Sequence, residues 1–243
     1  MTSDQRRART AGWLYLAVVV TGMFSYAYVP SQIDTHADAL ATTANLSASL
    51  SLYRWGALSE LVMAAAFLLL PFALYRLLHR VDRNLALLML LLVAVSVPLT
   101  FVNVVNKLDI LSLLGATGLS QALTRDQLNA QVMMHLFAYR NGMLVSKIFS
   151  GLWLLPFGYL VFKSAFLPRI LGALLVLGGF SYLIDFCGTL LFPGYEDTTV
   201  SDLILLPASL GEIGICLWLL LVGTRARARQ SNDASTRRER TPA

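Results

Sequence analysis

Charge is what this sequence most lacks. Only 14% of its 243 residues are Asp, Glu, Lys or Arg, against roughly 25% in an ordinary soluble domain. So little charge cannot cover a water-facing surface of this size, and the 56% of hydrophobic residues gather in blocks of about twenty. The deficit excludes a soluble fold and places the chain in a membrane. Two cysteines are too few for a disulfide scaffold, and the apolar excess excludes disorder and collagen. No glycine-rich phosphate loop, serine nucleophile elbow or aspartate-rich magnesium motif is present. His36, His79 and His135 fall on different connections with no second ligand at helical spacing. Neither a metal nor another cofactor is therefore expected.

What is present is six apolar runs, near residues 11–29, 55–78, 85–105, 142–162, 170–192 and 203–222. Each can cross a hydrocarbon core of about 30 Å. Each must be helical, because the bilayer offers backbone groups no other partner. Strands of a membrane barrel would alternate in polarity, and runs such as 85–95 do not. The expected fold is all-α, a polytopic six-transmembrane-helix bundle. Short outer-surface helices are expected over 37–53 and 125–139, because Thr35 with Asp38 and Thr124 with Gln127 have capping-box spacing. Domain organisation follows as a basic N-terminus (1–10), a membrane domain (11–223) and a disordered basic tail (224–243).

Of the 19 lysines and arginines, 14 fall on one side if the spans alternate: Arg6, Arg7, Arg9, Arg76, Arg80, Arg83, Lys163, Arg169 and the tail arginines. The positive-inside rule then puts both termini in the cytoplasm. The first run, after its arginines, is expected to be a retained helix rather than a cleaved signal. Trp13 and Trp55 fall near opposite interfaces, as an aromatic belt would place them. The net charge of +5 is thereby an orientation code and needs no nucleic acid. Membrane lipids, a small lipophilic ligand, and another membrane subunit or a second copy are the partners to expect.

The informative residues are the charges left inside the runs, since each costs about 2.5 to 3.5 kcal/mol at a helix centre. Depth can be measured from the basic residue ending each run, at 1.5 Å per residue. Glu60, Lys147 and Asp185 each lie sixteen residues from Arg76, Lys163 and Arg169, about 24 Å. Glu212 comes out at about 20 Å, and Asn103 at about 30 Å with Asn106 and Lys107 on its face. Four helices thus share a polar layer in the outer third of the membrane. Arg54, Asp109, His135, Tyr139, Arg140 and Asn141 lie just above it and could form the mouth of a cavity. Below it the runs are nearly all apolar, which would close the cavity from the cytoplasm.

Two readings of these charges stand side by side. Glu60, Asp109, Asp185 and Glu212 could neutralise Arg54, Lys107, Arg140 and Lys147 as structural pairs. Alternatively Glu60, Asn103, Lys147, Asp185, Glu212, Arg54 and Arg140 line a site for a small or lipid-like ligand, for transport or sensing. A carboxylate serving as general acid on a lipophilic substrate is the enzymatic alternative, and a structural membrane subunit the third. Cys187 and Cys216 differ in depth by about 14 Å, too much to bond, and read as small buried residues. Gly178, Gly179, Gly211 and Gly214 read as close helix contacts.

Around the fifth run the chain carries Gly158-Tyr159-Leu160, Lys163-Ser164, LPRILG at 167–172, Gly178-Gly179 and YLID at 182–185. With AGWLYL at 11–16, the 54–60 region, RNLALL at 83–88 and LGEIGICLWLL at 210–220, it closely resembles the bacterial membrane family catalogued as domain of unknown function 4386. The resemblance spans about 11–223 and implies a multi-helix bacterial membrane protein in the cytoplasmic membrane. It carries no activity with it, and it singles out Asp185 and Glu212 as motif members.

Overall fold

The computed structural model describes residues 3–35, 37–115 and 122–224. The expected disordered tail from Arg225 onward and His36 lie outside the described residues. In chain order the elements are α1 (Ser3–Met23), a π-helical turn (Phe24–Tyr28), α2 (Val29–Gln32), α3 (Ala39–Ala48), α4 (Leu50–Leu78) and α5 (Arg83–Leu114). There follow α6 (Arg125–Lys163), α7 (Arg169–Leu191), a 3-10 turn (Tyr195–Asp197), α8 (Thr199–Ile204) and α9 (Leu206–Leu221). Six stretches are long and apolar enough to cross a membrane: Asp4–Gln32, Leu50–Leu78, Arg83–Leu114, Arg125–Lys163, Arg169–Leu191 and Thr199–Leu221. The chain is an all-α multi-pass membrane protein.

The spans pack in sequence, α1 on α4, α4 on α5, α5 on α6, α6 on α7 and α7 on α9, and α9 returns to α1. The short links 79–82 and 164–168 make hairpins of the helices they join. The ring closes tightly at Gly12, where a Cβ would stand 2.9 Å from the backbone nitrogen of Leu220. Outward faces are apolar: Val102, Ile170 and Leu177 are all more than half exposed. Such a surface belongs against lipid. Trp13 and Trp55, near opposite ends of the bundle, are exposed as the aromatic-belt reading requires.

Helix ends follow their caps. Asp82 starts α5 by accepting hydrogen bonds from the amides of Asn84 and Leu85, at 2.9 and 3.0 Å. Gly223, at φ +66°, closes α9, its amide and that of Val222 both donating to the Trp218 carbonyl at 2.9 Å. Leu205, just before Pro207, separates α8 from α9, so the last expected run is two helices. Thr124 forms the expected capping box with Gln127. The helix it starts does not stop at 139, however. It runs unbroken into the fourth span as α6, 39 residues or about 58 Å long, because Arg140, Asn141 and Gly142 break no backbone hydrogen bond. In the first connection the cap is Asp38, whose carboxylate accepts from the Ala41 amide at 2.8 Å, so α3 begins three residues later than a cap at Thr35 would set it. The short helices beside the spans are α3 and α8.

Two apolar clusters bracket the interior. The larger, at the end holding the N-terminus, includes Leu70, Leu74, Met89, Val93, Leu154, Leu160, Ile215 and Leu219. At its heart Trp153 stacks on Phe157 with centroids 5.2 Å apart and takes Phe67 edge-on at 5.1 Å. The smaller, at the opposite end, joins Val29, Ile33, Leu46, Tyr53, Ile110, Val132 and Leu136. Cys187 and Cys216 are both free. Cys216 is buried, but Cys187 is exposed and not buried as expected. Asp185 and Gly188 face inward on α7, and two residues past Asp185 is about 200° around the helix.

Candidate functional site

Among the described residues, Glu60, Asp185 and Glu212 of the spans stand as two ion-paired groups and one solitary carboxylate. The first group centres on Glu60, which is fully buried. On α4 the residues Tyr53, Gly56, Ala57 and Glu60 are buried, an i, i+3, i+4, i+7 stripe that turns Glu60 into the ring. On α5 Asn103, Lys107 and Ile110 are buried in the same way. Lys107 Nζ donates to Glu60 Oε2 at 2.7 Å, and Tyr139 of α6 donates its hydroxyl to the same oxygen at 2.9 Å. Tyr26 donates to Glu60 Oε1 at 3.2 Å. A π-helical turn places Tyr26, and the same turn buries Ser25, whose Oγ donates to the Gly56 carbonyl at 3.0 Å. Such turns inside helices are frequent at functional sites. Lys107 also lies over the Tyr139 ring, 4.4 Å from its centroid, and 5.8 Å from that of Tyr53.

Around this centre the helices α5 and α6 are stitched by amides. Asn103 Nδ2 donates to the Tyr139 carbonyl at 3.1 Å, and Asn106, whose Nδ2 donates within α5 to the Asn103 carbonyl at 3.2 Å, places its Oδ1 3.4 Å from His135 Nδ1 of α6. Asn103 can come so close because residue 142 is glycine; any Cβ there would collide with its side-chain amide. Farther along, His135 Nδ1 lies 3.5 Å from Asp109. Arg140 turns the other way, its Nη2 donating to the carbonyl of Thr35 at 2.8 Å and to its Oγ1 at 3.0 Å.

These groups surround a cavity of about 240 Å³ at the end of the bundle opposite the N-terminus. Its polar wall is Tyr26, Thr35, Tyr53, Lys107, Tyr139 and Arg140, and Val29, Ile33, Leu136 and Met143 supply the apolar part. The Trp153 cluster fills the interior below.

The second group is Asp185, also fully buried. Lys147 Nζ donates to its Oδ2 at 2.6 Å, and Ser201 of α8 donates to Oδ1 at 2.8 Å. Each oxygen of this carboxylate thus accepts one hydrogen bond. Ser201→Ala would leave the buried Oδ1 unpaired and should destabilise the fold by about 1 kcal/mol. Equilibrium unfolding in mixed micelles reads this; an unchanged midpoint would mean Oδ1 is satisfied in another way.

Glu212 stands apart. It lies at the edge of the inward stripe of α9, half-buried, and among the described residues it makes no ion pair or hydrogen bond. Tyr15 and Tyr182 are the groups within its electrostatic reach.

Residues at one depth on the ruler therefore fall into separate groups in the structure. Glu60 and Asn103 belong to the cavity region, Lys147 and Asp185 to a separate pair, and among the described residues no ion pair or hydrogen bond joins the two. Arg140 lines the cavity as a mouth residue, whereas Arg54 is exposed on the outer side of α4, beside Trp55. It is one residue past the buried Tyr53, about 100° around the helix. Tyr26, Tyr53, Thr35 and Lys107 were the residues to add. Lys107 was legible as a face-mate of Asn103, but the ruler puts it about 36 Å deep, about 12 Å from Glu60. The extended lysine and glutamate side chains together span that gap. The tyrosines had no distinguishing signal, because tyrosine in a span ordinarily marks the interface.

The family model described as Domain of unknown function (DUF4386) matches residues 10–223. No curated protein and no solved structure matches the chain.

Proposed function

The chain belongs to the domain of unknown function 4386 family, and we propose that it binds a small or lipid-like ligand in the tyrosine-lined cavity, for transport or sensing. The observation that carries this reading is the convergence of four elements' polar groups on one partly apolar space of about 240 Å³. That volume lies just below the usual range for ligand sites, about 300 to 1,000 Å³, and so suits a small ligand. The basic residues Arg76, Arg80, Arg83, Lys163 and Arg169 all lie at the end holding the N-terminus. By the positive-inside rule that end is cytoplasmic, so the cavity faces outward from a bacterial inner membrane. The apolar plug around Trp153 keeps it from the cytoplasm in this conformation.

The enzymatic alternative has lost most of its candidates. Glu60 and Asp185 are each engaged by a lysine and by hydroxyl donors, so neither carboxylate stands free to meet a substrate. Only Glu212 keeps that option. The structural reading fits Lys147 and Asp185 best, since no cavity residue joins them.

Native mass spectrometry on protein released from its own membrane tests the ligand reading. Wild type should carry a bound small molecule or lipid. Met143→Trp, which fills the cavity from its apolar side, should lose that adduct while melting within a few degrees of wild type. An adduct of equal occupancy in Met143→Trp would show that the cavity is not where it binds.

A further inference from the structure

We propose that the ligand of this cavity is a small amphipathic oxyanion, a carboxylate or phosphate head on a short apolar body, held by Arg140, Lys107 and Tyr53. This rests on the cavity being a binding site, as proposed above.

The charge of the wall is one-sided. Its ionic residues are Lys107 and Arg140, and no carboxylate lines it. Glu60 neutralises Lys107 from behind the wall. Among the described residues Arg140 has no such counterpart: its hydrogen bonds go to the neutral carbonyl and hydroxyl of Thr35, both through Nη2. A guanidinium carries five N–H donors, of which Nη2 holds two. The other three remain for a ligand. A second, independent sign is the Tyr53 hydroxyl, which is buried without any hydrogen-bond partner although its ring forms part of the wall. Native proteins rarely leave such a group unsatisfied, and an acceptor on a bound ligand would satisfy it.

These donors sort the ligand classes. A cation would meet the uncompensated charge of Arg140. A neutral lipophile would leave the Arg140 charge uncompensated in a low-dielectric setting, which is costly. An oxyanion satisfies Arg140 and the Tyr53 hydroxyl together, and the fork of a guanidinium suits carboxylate and phosphate in geometry. The apolar residues Val29, Ile33, Leu136 and Met143 then take the body of the molecule. At about 30 Å³ for each water in the liquid, the cavity equals roughly eight waters. It holds a head and a few carbons, not a whole phospholipid.

Three probes of equal tail separate the possibilities: octanoate, octanol and octylammonium, titrated by calorimetry into protein held in a non-ionic detergent. Octanoate should bind at least tenfold more tightly than octanol, and octylammonium should not bind. Arg140→Gln should abolish the preference and Arg140→Lys should keep part of it. Tyr53→Phe, which changes only one hydroxyl and keeps the fold, should weaken octanoate several-fold while leaving octanol unchanged. Equal binding of octanoate and octanol, or a preference that survives both Arg140→Gln and Tyr53→Phe, overturns the oxyanion assignment and leaves the cavity as a binding site. Absence of binding by all three overturns both. Nanodiscs then identify the source: loss of octanoate binding in phosphatidylglycerol but not phosphatidylcholine assigns the head to a lipid, and equal binding in both assigns it to a free organic acid.

Discussion

Lys107→Met should destabilise the protein by about 3 to 5 kcal/mol, the cost of breaking a buried ion pair from one side. Glu60 is fully buried, and its remaining partners would be the hydroxyls of Tyr26 and Tyr139. Two neutral donors cannot replace a cation at 2.7 Å. The double variant Glu60→Gln with Lys107→Met removes both charges and should recover most of the loss, since replacing a whole buried pair by neutral groups of similar size is often close to neutral. Tyr139→Phe supplies the scale: hydrogen bonds between membrane helices average about 0.6 kcal/mol, so this change should be several-fold smaller than Lys107→Met. Equilibrium unfolding of these proteins in mixed micelles, with the single variant Glu60→Gln added, completes the double-mutant cycle for the pair. If Lys107→Met and Tyr139→Phe lost the same small amount, the pair would be wet and its burial would carry no energetic weight. The outcome also bears on function. A pair whose double replacement is stable but loses a bound ligand is retained for the site and not for the fold.

That separation matters because the sequence reveals burial of charge more readily than partnership. The scarcity of charge and the length of the apolar runs were enough for six spans, their order and the hairpins joining them, because a bilayer leaves the backbone one spanning solution per run. Depth along a helix was also legible, since rise per residue is constant, and it brought Lys147 and Asp185 to one level, where they do pair. Direction around the axis was less so. Arg54 and Tyr53 are chain neighbours, yet one faces outward and the other lines the cavity. The face is set by which neighbouring helix covers it, a property of the whole ring. Tyr26 was the hardest to foresee. It reaches Glu60 from a π-helical turn, and the extra residue per turn shifts the face by an amount that regular helical spacing does not anticipate.

Gly172→Val should be the most damaging single change outside the polar groups, because it acts on the joint that holds the two polar regions in register. A Cβ at Gly172 would stand 2.5 Å from the backbone nitrogen of Phe162 and 2.8 Å from the carbonyl oxygen of Gly158. Gly158 returns the constraint, its own Cβ position lying 2.7 Å from the Val176 nitrogen. Both obstacles are backbone atoms, so no rotamer change relieves them and α6 must move off α7. Overpacking ordinarily costs about 1 to 3 kcal/mol, and a shift of whole helices belongs at or above the top of that range. Gly22→Ala is the contrasting case: its Cβ would meet only the Met63 sulfur, at 3.2 Å, on a flexible side chain that can turn away. It should cost well under about 1 kcal/mol. The consequence reaches the second polar region, since α6 carries Lys147 and α7 carries Asp185, and a parted hairpin stretches their 2.6 Å contact. In Gly172→Val the further loss on adding Lys147→Met should therefore be much smaller than the loss Lys147→Met causes in the wild-type background. Full additivity of the two changes would mean that the glycine contact and the ion pair are independent, and that the α6–α7 joint does not set the geometry of the charges it carries.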